Sequence, residues 1–205
     1  SATDVDGDEL IFSASVDANV SVVVDGNDLI ITPDSDYNGD IAVSIIVSDG
    51  QFTDSDSFTL TINSVNDAPE VESISDQETD EDVTFTYNVI ASDVDGDELD
   101  YFAVVIGEGG TASFDGSVLS VIPDTNFNGT LNISIAVSDA EYSINETFAV
   151  TVNPVNDAPV LDSIADQETD EDIAFTYSVS ATDVDGNLLE YIVSVDGNAS
   201  VAIDG

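Results

Sequence analysis

The sequence predicts an all-β protein, a tandem array of Greek-key β-sandwiches repeating about every 90 residues, on three observations. The string VNDAP occurs at 65–69 and again at 155–159, and DQETDED at 76–82 and 166–172, both 90 residues apart. Apolar residues alternate with polar ones at period 2, the mark of strands buried on one face. Between those runs lie Gly, Asn and Asp turn signals, with no helical periodicity.

The repeat divides the chain. Residues 1–66 read as the C-terminal part of one repeat, 67–156 as a complete repeat and 157–205 as the N-terminal part of a third. DVDG occurs at 4–7, 93–96 and 183–186, and PDxx(Y/F)NG at 33–39 and 123–129. Residues 1–26 and 180–205 cover the same part of the repeat, which predicts a window cut from a longer array. Completion of the terminal part-repeats by strand exchange between copies is the alternative.

Within the complete repeat Val83, Phe85, Tyr87 and Val89 share one face of an expected strand. Leu131, Ile133, Ile135 and Val137 do so in a second, and Phe148, Val150 and Val152 in the last. The other copies repeat the pattern at Ile41, Val43, Ile45 and Val47, at Phe58, Leu60 and Ile62, and at Ile173, Phe175, Tyr177 and Val179. Shorter β-rich runs at 71–75, 99–106, 111–114 and 118–122 bring the count to about seven strands, an immunoglobulin-like sandwich. Asp115-Gly116 is a hairpin turn, and Phe127, with Tyr37 in the first copy, is placed to plug a sandwich end.

Composition restricts function. The chain is 42% hydrophobic, enough for real cores, yet it carries 44 Asp plus Glu and no Lys, Arg or His, for a net charge of -44. No side-chain salt bridge can form within it. Carboxylates about 4 Å apart repel by roughly 1 kcal/mol even in water, so their clusters call for a partner from outside. Phosphate-rich partners have the wrong sign, which argues against nucleic acid and anionic membranes; metal cations suit. Without Cys there is neither a disulfide nor a zinc-thiolate site. No apolar run approaches the ~20 residues of a membrane span.

An enzyme is not expected. His, Cys and Lys bases or nucleophiles and an Arg clamp are all missing. Carboxylates that recur at the same place in each copy argue for architecture rather than for a single cleft.

The junction motifs carry a resemblance. VNDAP, ETDED before the second strand, DVDG after it and VSD(G/A) at 47–50 and 137–140 resemble the cadherin-like tandem repeats of large bacterial adhesins and surface proteins. That resemblance implies calcium at each junction, an extracellular or cell-surface setting, and neighbouring repeats or other copies in a fibre as partners. It implies Asn66, Asp67, Asp93, Asp95 and Asp139 as ligands at the first junction. At the second it implies Glu81, with Asp82 as a further donor, then Asn156, Asp157, Asp183 and Asp185. Asp4, Asp6 and Asp49 would serve a junction before the window, and Glu171 one after it. The DRE-type tripeptide of eukaryotic cadherins is missing, which implies fewer ions per junction.

The chemistry of the residues agrees. Asp-x-Asp at a strand end points two carboxylates the same way, and Gly96 permits the tight turn. An EF-hand is excluded, because counting from Asp93 its sixth and twelfth positions hold Glu98 and Val104 rather than Gly and Glu. Glu70, Glu72, Glu108 and Glu146 read as solvated faces that blunt strand edges. The reading that results is a calcium-stiffened extracellular rod or fibre. The alternatives are a carbohydrate- or surface-binding sandwich and a calcium-independent filament.

Overall fold

The structure is a computed structural model and describes residues 2–17, 19–197 and 200–203. Its strands are β1 (Ile11–Val16), β2 (Val20–Asp25), β3 (Asp28–Pro33), β4 (Gly39–Ser48), β5 (Thr53–Ile62), β6 (Glu70–Val71), β7 (Gln77–Asp80) and β8 (Phe85–Asn88). They continue as β9 (Ala91–Ser92), β10 (Asp100–Ile106), β11 (Gly110–Asp115), β12 (Val118–Pro123), β13 (Gly129–Ser138), β14 (Ser143–Asn153), β15 (Val160–Leu161) and β16 (Ala181–Thr182). The chain divides into two compact units.

The first unit comprises residues 1–72, 90–100 and 137–144. It contains a β1-β4-β5 sheet, the β2-β3 hairpin and the short β6-β9 pair. In β4, Ile41 and Val43 are buried while Ala42 between them is exposed, as the period-2 pattern requires. Residues 45 and 47 are only half-buried, and Phe58 of β5 is exposed.

The second unit comprises residues 73–89, 101–136 and 145–205. A four-stranded sheet, β10-β13-β14-β7, and a three-stranded sheet, β11-β12-β8, supply the seven strands of an Ig-type sandwich. Leu119 and Val121 of β12, Leu131, Ile133 and Ile135 of β13, and Val150 and Val152 of β14 are fully or almost fully buried. Each such side chain contributes roughly 1.5–3 kcal/mol through lost contact with water. Asp115 faces Val118 at the end of the β11-β12 hairpin, so Asp115-Gly116 makes the expected turn. The Phe127 ring lies so close to Gly109 that an added Cβ would stand 2.4 Å from it, which fixes the ring at the sandwich end.

One strand lay outside the expected runs, and two expectations are corrected. Gln77–Asp80 is a strand, pairing in parallel with β14 from Val150↔Gln77 to Asn153↔Asp80, although it has no apolar alternation. Backbone pairing is enough there. Residues 173–179 form no strand. Their counterpart β8 is held by β12, with Tyr87 opposite Leu119, and among the described residues 173–179 has no such pairing partner. Glu146 is half-buried rather than solvated, accepting from Ser73 Oγ at 3.0 Å and the Ile74 N–H at 3.3 Å.

Candidate metal centres at the linkers

In the first unit the linker meets the DVDG turn. The Asp67 N–H donates to Asp95 Oδ2 at 2.8 Å. Asn66 Nδ2 donates to Asp139 Oδ2 at 2.9 Å and to the Asp67 carbonyl at 3.0 Å. Asp93 folds the turn over itself: its Oδ1 accepts from the N–H groups of Asp95 at 2.8 Å, Gly96 at 3.1 Å and Asp97 at 3.4 Å. Gly96 sits at φ +81°, a conformation costly for a side chain.

Oxygens of Asp93, Asp95 and Asp97 lie within 4.8 Å of one another. Asp139 is only 8% exposed, with its Oδ1 accepting from the N–H groups of Tyr142 at 2.6 Å and Glu141 at 2.8 Å. Those bonds hold its carboxyl below the usual value, the Tyr142 bond contributing most.

In the second unit the geometry recurs. The Asp157 N–H donates to Asp185 Oδ2 at 2.7 Å, and Asn156 Nδ2 to the Asp157 carbonyl at 2.8 Å. Asp183 Oδ1 accepts from the N–H groups of Asp185 at 3.0 Å and Asn187 at 3.1 Å. Glu81, which follows β7, is 4% exposed and accepts from the Val155 N–H and from Asn128 Nδ2 at 3.5 Å. Oxygens of Glu81, Asp157 and Asp185 lie within 4.8 Å of one another. Asp82 accepts from the Asn126 N–H at 3.0 Å.

Electrostatics mark the two linker aspartates. Partial desolvation pushes the carboxyl of the exposed Asp67 up, and Asp36, Asp95 and Asp93 add to it. Partial desolvation likewise raises Asp157, followed by Asp185, Asp82, Glu81 and Asp183. Both aspartates are short of positive charge.

The remaining candidates are less gathered. Asp4 Oδ1 accepts from the N–H groups of Asp6 at 2.8 Å and Asp8 at 3.0 Å, and Asp49 Oδ1 from those of Phe52 at 2.6 Å and Gln51 at 2.7 Å. Glu171 is exposed where its copy Glu81 is buried. Among the described residues none of these four enters a cluster of three carboxylates.

Two residues escaped sequence reasoning. Asp97 completes the Asp93-Asp95 cluster. Asp36, from the PDxxYNG turn, lines recesses shared with Asp67, Asp93 and Asp95. The turn recurs at the 90-residue spacing, but nothing in the sequence places it near VNDAP.

The residues suit a hard cation on one further observation. Asp93 Oδ2 is buried and has no hydrogen-bond partner, a costly condition for a carboxylate oxygen. Calcium takes ~6–8 oxygen ligands, and carboxylate, amide and backbone oxygens are what these linkers gather.

The fold defines a class, an all-β protein of immunoglobulin-like sandwiches, with acidic clusters at its VNDAP segments. Residues 1–63 match the cadherin-like domain and 66–153 the bacterial Ig domain, so these two stretches are cadherin-like and bacterial Ig domains. Such domains are adhesive or structural modules that usually sit in extracellular or surface proteins. The chain is similar to chitinase A of Pseudoalteromonas piscicida, 35% identical over 108 residues, which are 51% of this chain and 13% of that protein. It thus spans about an eighth of that relative's length.

Among solved structures, human protocadherin-24 EC1-2 is 16% identical with a TM-score of 0.49, over 76% of this chain and 86% of that one. Human mucin-like protocadherin EC1-2 is 17% identical with a TM-score of 0.48, over 70% and 85%. An endo-fucoidan hydrolase of glycoside hydrolase family 107 is 17% identical with a TM-score of 0.33, over 72% and 24%. No helix among the described residues is long and apolar enough to cross a membrane.

Proposed function

We propose that this chain is part of an extracellular structural or adhesive array whose repeats, 1–66, 67–156 and 157–205, are locked end to end by calcium at the VNDAP linkers. The observation that carries this reading is the buried, unpartnered Asp93 Oδ2 within the Asp93-Asp95-Asp97 cluster, in a chain with no cationic side chain. Asn66, Asp67, Asp93, Asp95 and Asp139 would hold calcium at the first linker, with Asp97 added. Glu81, Asp82, Asn156, Asp157, Asp183 and Asp185 would do so at the second. Asp4, Asp6 and Asp49 belong to an equivalent site before this stretch and Glu171 to one after it.

Bound calcium supplies the positive charge that the clusters lack. The chain's own part is to pre-set the cradle: Asp93 and Asp183 hold the DVDG turns by their Oδ1 atoms, and the linker N–H groups orient Asp95 and Asp185. Removing the ion leaves only repulsion among these carboxylates, so the linker loosens before the cores do.

The array itself is read as non-catalytic, because a chain without His, Cys, Lys or Arg lacks the usual general bases, activated nucleophiles and cationic clamps. A second reading, a carbohydrate-binding sandwich appended to polysaccharide-degrading enzymes, is favoured by the partial match to chitinase A. Retention on chitin would separate it from the first.

Small-angle X-ray scattering of the chain in calcium and then in excess chelator tests the calcium lock. The expected result is a marked gain in flexibility on chelation, abolished by Asp93→Ala with Asp95→Ala at the first linker. Superimposable profiles in the two buffers overturn it.

A further inference from the structure

The PDxx(Y/F)NG turn occurs twice with the same backbone and one difference in charge. Asp36 in the first copy and Asn126 in the second both take positive φ, 60° and 57°. Each turn is closed by the same bond, Tyr37 N–H to the Asp34 carbonyl at 3.4 Å and Phe127 N–H to the Asp124 carbonyl at 3.0 Å. Both turns reach their following VNDAP linker.

What they present there differs. In the first unit the Asp36 carboxylate shares a recess with Asp67 and Asp93, and the orphaned Asp93 Oδ2 belongs to that same group. In the second unit the Asn126 amide, in the orientation its neighbours favour, donates to Asp157 Oδ2 at 3.2 Å and Asp82 Oδ2 at 3.3 Å. One NH2 group there bridges two carboxylates.

We propose that Asp36 binds a cation jointly with Asp67 at the first linker, whereas at the second the Asn126 amide takes that cation's place between Asp82 and Asp157. The inference rests on the calcium reading above and deepens it, since the turn then sets how many ions a linker takes. An amide donates two N–H groups but carries no charge, so it links two carboxylates without neutralising them. A carboxylate at the same position adds one more anionic ligand, and a hard divalent cation is what such a set of oxygens accepts. A single Asp-to-Asn exchange would therefore grade the calcium demand of successive linkers.

Calorimetric titration of the full chain with calcium tests this through reciprocal variants. Asp36→Asn is expected to bind one ion fewer than the wild type, and Asn126→Asp one more. Circular dichroism verifies that both variants fold, and the second stands as a test even if the first does not. Tyr37 lines the recess with Asp36 and Asp67, so terbium emission excited through tyrosine should fall in Asp36→Asn and persist in Asn126→Asp. A wild-type chain that binds calcium with a count unchanged in both variants overturns this inference alone. A wild-type chain that binds none overturns the calcium reading and this inference with it.

Discussion

The backbone N–H of Asp67 donates to the side chain of Asp95 at 2.8 Å, and 90 residues on Asp157 donates to Asp185 at 2.7 Å. The bond ties each linker to the DVDG turn 28 residues further along the chain. It also aligns a carboxylate whose other oxygen remains open to a ligand from outside.

Removing that carboxylate should act in two ways. Asp95→Ala leaves the Asp67 N–H without its acceptor, a loss of about 1 kcal/mol in chelator. It also abolishes calcium's stabilisation at this linker, which in the parent approaches about 2.7 kcal/mol at a hundredfold excess over Kd. Thermal unfolding in both buffers measures the two losses separately.

The carboxyl shifts predict opposite acid responses in the calcium-free protein. Asp49 and Asp139 are held below the usual 3.8 by backbone N–H bonds, chiefly from Phe52 and Tyr142. Their stabilisation is fully present above 3.8 and is lost as pH falls through their lowered values. Asp67 and Asp157 are raised, first by partial desolvation, so ionising them disfavours folding and stability from them recovers as pH falls through their raised values. Carboxyl NMR titration should show the two pairs on either side of 3.8, with calcium moving Asp67 and Asp157 downward.

Core substitutions should separate the copies. Phe148 is 5% exposed and its first-copy counterpart Phe58 is 44% exposed. Phe148→Ala is expected to cost about 3–5 kcal/mol in denaturant unfolding, and Phe58→Ala clearly less.

Ala140 adopts φ +79° where the first copy has Gly50 at +94°. A left-handed L-residue costs roughly 1–2 kcal/mol, and glycine's extra unfolded-chain entropy returns roughly 0.5–1 of that. Ala140→Gly should therefore raise stability by about 0.5–1 kcal/mol, read from the same unfolding curves.

The inward faces of β13 and β14 were legible because Leu131 to Val137 and Phe148 to Val152 alternate without interruption. So were the linker groups, since VNDAP and DVDG recur at one spacing. The strand at Gln77–Asp80 was hidden, because its residues are polar and only backbone pairing with Val150–Asn153 makes it a strand. The run 173–179 misled for the converse reason: its alternation is right, but a strand also needs the partner that Tyr87 finds in Leu119. Asp36 was read as part of a folding turn, and its nearness to Asp67 is a tertiary fact that no local spacing carries.

Amide hydrogen exchange at Asp67 and Asp157, compared in calcium and in excess chelator, tests the calcium lock most directly. The account predicts protected linker amides in calcium and fast exchange after chelation, with the core amides of β13 and β14 protected in both. Equal protection of Asp67 and Asp157 in the two buffers would contradict it.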